Sequence, residues 1–127
     1  MIKKLLFILC VSLSNVSFAS VETTFAGDLP EGVSHQLDKL TSGAMGTVII
    51  QKLCYNQKEE VTIKEVNRKV SAAIEKNLSG QYLNNALLYA SEAMDQKRKA
   101  FKFVYADKTC ADLKNLKDIA LGVGFKN

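Results

Sequence analysis

Histidine occurs once in this 127-residue sequence, at position 35, and proline once, at position 30. A single histidine removes most routes to a metal centre or an imidazole-activated nucleophile. No HExxH or Cys-x-x-Cys is present, and no glycine-rich stretch has the form of a phosphate-binding loop. His35 adjoins Ser34, but successive residues of a helix point about 100° apart and are badly placed to act as base and nucleophile. A place in the capping neighbourhood at the start of a helix is the simpler role. Carboxylates are more numerous, yet Glu59 and Glu60 fall in a polar connection, and Glu65, Glu75, Glu92 and Asp95 fall on polar helical faces. Glu65 and Lys69 have the i,i+4 spacing of a surface ion pair. The chain therefore reads as a non-enzymatic protein, with no cofactor and no metal-ligand set expected.

Long apolar runs are also scarce. The one at the start, "LLFILCVSL", follows the basic "MIKK" and precedes "SNVSFAS", which places Ser17 and Ala19 at the −3 and −1 positions of a cleavage after Ala19. That is the pattern of a secretory signal peptide over residues 1–19. The run is well short of the roughly 20 apolar residues that span a bilayer. Cys10 does not make a lipoprotein signal, because bulky Ile8 and Leu9 precede it and it comes too early. No later stretch is long enough to span, so a soluble periplasmic or secreted product is expected. Removing 19 of 127 residues leaves 108, enough for one domain with a modest core. It also removes Lys3 and Lys4, so the 17 basic residues fall to 15 against 13 acidic ones. A surplus of about two charges is far from the strongly basic balance of a nucleic-acid-binding domain.

Two cysteines remain, Cys54 and Cys110. In an oxidising compartment an even pair without metal-site spacing most simply forms a structural disulfide. Closing so long a loop is worth about 4 kcal/mol through lost unfolded-state entropy.

The remaining pattern is helical throughout. Residues 20–33, "SVETTFAGDLPEGV", have no helical period and predict an irregular arm, with Phe25, Leu29 and Val33 available as anchors. The helical domain then occupies 34–127. A first helix over 34–55 carries Leu37, Leu40, Ala44, Val48 and Leu53 at helical steps, with Ser34 as its N-cap. Gly43 and Gly46 weaken it. "TVII" (47–50) is a rival strand signal, and "SGAMG" suits close approach of a neighbour. A second helix begins at a Thr62–Glu65 capping box, runs an apolar stripe of Ile63, Val66, Val70, Ala73, Ile74 and Leu78, and stops at Gly80 as C′ residue. A third, over 81–104, places Leu83, Leu87, Ala90, Met94 and Phe101 on one side and Tyr82, Tyr89, Ala93, Ala100 and Phe103 on the adjoining arc. Its wide apolar face predicts two neighbours and hence the central position. A fourth, opened by Thr109 and Asp112 as a capping pair, carries Cys110, Leu113, Leu116, Ile119 and Ala120 and ends at Gly122 and Gly124. The expected fold is all-α: a small bundle of about four helices with one disulfide and an irregular N-terminal arm.

One stretch resists this division. Residues 97–103, "KRKAFKF", mix four cations with two phenylalanines. The helical period sends Phe101 to the core, Phe103 to the tyrosine side, and Lys99 and Lys102 to water. Lys97 falls inside the apolar arc and is expected to snorkel outward or mark the helix edge. The aromatics exceed what one stripe needs. Either they fill the second contact of the third helix, or Tyr55, Tyr82, Tyr89, Lys97, Phe103 and Tyr105 form an interface with another protein.

Without catalytic groups, the functional expectation is an exported protein-binding or inhibitory module of the bacterial envelope, its partner another envelope or toxin protein, as for a toxin-neutralising immunity protein. Two alternatives stand beside it. One is a periplasmic acid-stress chaperone. The other is anionic membrane-surface or nucleic-acid binding through the basic C-terminal half, where residues 95–118 hold seven Lys or Arg and four Asp.

Overall fold

The computed structural model describes residues 27–125. The signal-peptide reading of 1–19 and the first part of the arm lie outside the described residues. Four helices follow one another: α1 (Val33–Tyr55), α2 (Glu59–Asn77), α3 (Gly80–Val104) and α4 (Lys114–Gly122), with a 3-10 turn at Cys110–Asp112 before α4. There is no strand among the described residues, so "TVII" is helical. The helices run up and down through short connections, and Cys54 in the last turn of α1 is disulfide-bonded to Cys110. Of the arm, residues 27–32 are irregular, and Leu29 and Val33 pack against the core.

The central helix is α1, not α3. It contacts each of the other three far more than they contact one another, and the whole stretch 41–50 is buried. Ser42, Gly43, Ala44 and Gly46 add little hydrophobicity but are small enough to admit neighbours all round. A methyl group on Gly43 would overlap Val123 Cγ2, and one on Gly46 would lie 3.3 Å from Leu116 Cδ2. The close approach that "SGAMG" suggested is thus made by α4, which buries Leu116 and Ala120, with Leu113 buried just before it and Phe125 just after. In α3 the second arc divides: Ala93 is buried and Tyr89 packs against the core, while its ends face water, Tyr82 at 47% and Phe103 at 85% exposed.

Three helix starts differ from expectation. Gly32, with φ +84°, precedes α1, so Ser34 lies inside the first turn. The chain enters through a turn in which the Val33 N–H donates to Pro30 O at 3.1 Å. In α2 the first turn is Glu59–Glu60, whose charges complement the helix dipole. Thr62 is therefore interior, its hydroxyl donating weakly to Lys58 O at 3.4 Å. Gly80, with φ +61°, opens α3 after the extended pair Leu78–Ser79; it does not directly follow α2. The Thr109–Asp112 pair does form: Asp112 Oδ2 accepts from the Thr109 N–H at 2.9 Å and its hydroxyl at 3.0 Å. It closes the 3-10 turn rather than α4 itself.

Candidate functional site

Two features stand out on either side of α3. The first is a groove of about 740 Å³ between α2 and α3. Both helices dock on α1 but touch each other sparingly, so a furrow stays open between them. Its floor is apolar, made by Met45 of α1, Ile63, Val70 and Ile74 of α2, and Leu87, Ala90 and Met94 of α3. Its rim is polar: Glu60, Lys64, Asn67 and Ser71 on one side, Ser91, Asp95 and Arg98 on the other. The α3 wall from Leu87 to Arg98 is about 16 Å long at 1.5 Å per residue, some three helical turns.

The second is a buried ionic cluster between α3 and α1. The inward line of α3 is Asn85, Ala86, Ala90, Ala93, Lys97 and Phe101. Lys97 is 0% exposed, so it neither snorkels outward nor belongs to a surface. The helical period puts its side chain on the α1 face, where polar atoms receive it. Its Nζ donates to Asp38 O at 2.6 Å and Thr41 Oγ1 at 2.7 Å, and lies 3.9 Å from Asp38 Oδ1. The Tyr89 hydroxyl donates to the same carboxylate oxygen at 2.9 Å.

Burial dominates the titration of all three groups. It pushes the Lys97 ammonium down to about 8 against the pull of Asp38. It raises the Asp38 carboxyl even though the Tyr89 hydrogen bond and the charges of Lys97 and His35 act to lower it. Tyr89 is pushed up to about 12 by burial and by the adjoining carboxylate. Lysine and aspartate are thus both disfavoured in their charged forms, which means that their attraction does not repay the loss of water. The fall of Lys97 from 10.5 to about 8 corresponds to about 3 kcal/mol.

A lysine amine beside a threonine hydroxyl has the elements of a base and a nucleophile. Here both residues are 0% exposed and the Thr41 hydroxyl is committed to Leu37 O at 2.7 Å. No substrate reaches this pair. His35, on the first turn of α1, is exposed. Among the described residues no group of three or more histidine, cysteine, aspartate or glutamate side chains is placed to hold a metal, and no helix is long and apolar enough to cross a membrane.

The aromatic set does not assemble into one surface. Tyr55, Tyr82 and Phe103 are exposed. Tyr82 and Phe103 stand about 31 Å apart along α3 at 1.5 Å per residue. Tyr89 is engaged with Asp38, and Tyr105 stacks edge-on against Phe101 at 6.0 Å between ring centres. The cations of 97–103 are likewise committed. Lys99 pairs with Asp95 at 3.3 Å, Lys102 with Glu59 at 3.5 Å, and Arg98 with both acids at 3.4 Å.

Sequence reasoning missed the groove because Ile63, Leu87 and Met94 sit at core spacings. Their partial exposure is a matter of how far apart α2 and α3 stand, which periodicity does not report. Compared with family models, curated proteins and solved structures, the chain matches none of them.

Proposed function

We propose that this chain is an exported, non-enzymatic protein-binding module of the bacterial envelope, and that the α2–α3 groove receives an amphipathic helical segment of its partner. The observation that carries the reading is the groove itself: an apolar floor about three helical turns long between polar rims. Recognition grooves of this kind take an apolar helix face and read its flanks by charge. Glu60 and Lys64 stand one turn apart on the α2 rim, which asks for a basic and an acidic residue one turn apart on the ligand. An immunity-type inhibitor that neutralises an envelope-acting toxin is one member of this class. The signal-like N-terminus and the disulfide support export.

In the basic C-terminal half, residues 95–118, Lys97 is buried and Arg98, Lys99, Lys102 and Lys114 pair with acids of the same fold, which gives the membrane or nucleic-acid alternative less support. The buried cluster lends nothing to the acid-chaperone alternative, because a carboxyl raised by burial favours the folded state when it is protonated.

The test is a photoreactive residue placed in turn at Asn67, at Ser91 and, as control, at Asn115 on α4. Cross-linking is run in an envelope extract under oxidising conditions. The expected result is a discrete adduct from Asn67 and Ser91 but not Asn115, mapping to an amphipathic helix of another protein. Equal labelling from all three positions, or an adduct of twice the chain's own mass, overturns the reading.

A further inference from the structure

We propose that α3 is the movable wall of this groove: its seat on α1, built around Lys97, Asp38 and Tyr89, opens before the seats of α2 and α4, and the charge on Lys97 sets how often.

The composition of the three seats carries the proposal. Helix α2 faces inward with Val66, Val70 and Ile74. Helix α4 and its flanks bring Leu113, Leu116, Ala120 and Phe125, notched against Gly43 and Gly46, and the disulfide ties its start to α1. Among buried side chains helix α3 brings Asn85, three alanines, which bury little area, one lysine and a single large apolar residue, Phe101, while Leu83, Leu87, Tyr89 and Met94 pack against the core only partly buried. It is also held by polar contacts across the fold: Asn85 Nδ2 to Asp28 O at 2.8 Å, Tyr89 to Asp38, and Lys97 to Asp38 and Thr41. On opening, each of these groups regains water, so polar contacts contribute little net resistance compared with buried apolar area. A buried charge goes further, because it is relieved when the seat opens.

The ends of α3 are unequal. Gly80, with φ +61° and open space around it, forms a joint at the start. Buried Phe101, stacked with Tyr105, and disulfide-bonded Cys110 hold the far end. Between them lie both Lys97 and the groove residues Leu87, Ser91 and Met94. Among the described residues, the charges acting on Lys97 and Asp38 come from each other and from His35, with Tyr89 joined by its hydrogen bond; none comes from α2 or α4. The consequence for ligand entry rests on the groove being the binding site; the opening of α3 does not.

The test is native-state hydrogen exchange of the disulfide-bonded protein, resolved by helix and corrected for intrinsic rates. At pH 7, amides of 83–100 are expected to exchange at least tenfold faster than those of 41–50 in α1 and 66–74 in α2. Lys97→Met is expected to slow α3 by tenfold or more and leave the other helices unchanged. The ceiling is about 300-fold, set by the fall of Lys97 from 10.5 to about 8. Wild-type protein at pH 9.5 is expected to move the same way, which decides the matter even if the variant does not fold. Exchange of α3 in step with α1, or α3 protection that neither the substitution nor pH raises, overturns the proposal. These readouts need no partner, so they stand or fall apart from the cross-linking result.

Discussion

Helices α4 and α3 are both held to α1, but by opposite chemistry. The α4 side is dry and close: Leu113, Leu116 and Ala120 against a glycine-notched face, with a covalent tie at its head. The α3 side is dry at Phe101 and ionic at Lys97, where two groups are buried in charged forms that both disfavour. Close apolar packing stabilises as long as it is not strained, whereas a buried ion pair stabilises only when its attraction exceeds the cost of desolvation. The same central helix therefore carries one seat that is apolar and covalently tied and one that is built partly around a buried lysine. The groove opens along the second.

If the α4 side is the fixed one, its covalent tie should matter most. Replacing both Cys54 and Cys110 with serine is expected to lower the unfolding free energy by about 4 kcal/mol, because the unfolded chain regains a long loop. Urea titration of oxidised wild type against the double variant measures it. A loss below about 1 kcal/mol would mean that the apolar contacts of α4 need no tie.

The ionic side makes a prediction of opposite sign in pH. Lys97 has a folded-state value of about 8 against 10.5 in the open chain, so between these limits the unfolded state holds more protons. Stability then rises with pH, by about 3 kcal/mol across the full window. Above pH 10 the gain is reversed. Tyr89, pushed up to about 12, keeps its proton in the folded state, so stability falls as pH climbs through that range. Burial raises Tyr105 in the same direction. Asp38 acts at the other end: its raised value means stability falls as pH climbs through the acid range. Unfolding free energies from urea titrations at pH 7.5 and 10 should thus differ by about 2 kcal/mol in wild type, an order-of-magnitude figure from the same shift. In Lys97→Met the difference should vanish. A flat wild-type profile would erase the contrast between the two seats.

How much of this was legible beforehand depends on the range of each signal. The α2 stripe and the Thr109–Asp112 pair are local, and both could be read from the sequence. Lys97 was legible as an anomaly, a cation in an apolar arc, but its acceptor at Asp38 lies 59 residues away, outside any periodic window. Snorkelling was the local resolution; the fold supplied a distant one. The central role of α1 was hidden for a different reason. Apolarity scales score Ser42, Gly43 and Gly46 as weak, while their value lies in the room they leave for neighbours. The opening turn of α2 was hidden because "KEE" looks like a loop until the helix dipole gives those acids a place. The groove was invisible, since it is a distance between two helices and no residue encodes it alone.

The smallest expected effect bears on how closely α4 sits. Alanine in place of glycine ordinarily stabilises a helix interior by about 1 kcal/mol. At Gly46 the added methyl would be tight only against the end of the Leu116 side chain at 3.3 Å, with Leu116 O at an ordinary 3.7 Å. Gly46→Ala should therefore fall near neutral, propensity offsetting a slight shift. At Gly43 the methyl overlaps Val123 Cγ2, a short stiff side chain, with Ile119 O and Phe125 Cδ2 each 3.5 Å away. Overpacking costs about 1–3 kcal/mol, so Gly43→Ala should lose about 1 kcal/mol net despite the gain in propensity. Thermal or urea unfolding of the two variants side by side gives the difference directly. The order matters more than the size. If Gly43→Ala proves the more stable of the pair, Val123 yields freely, and the α4 seat is looser than its glycines imply.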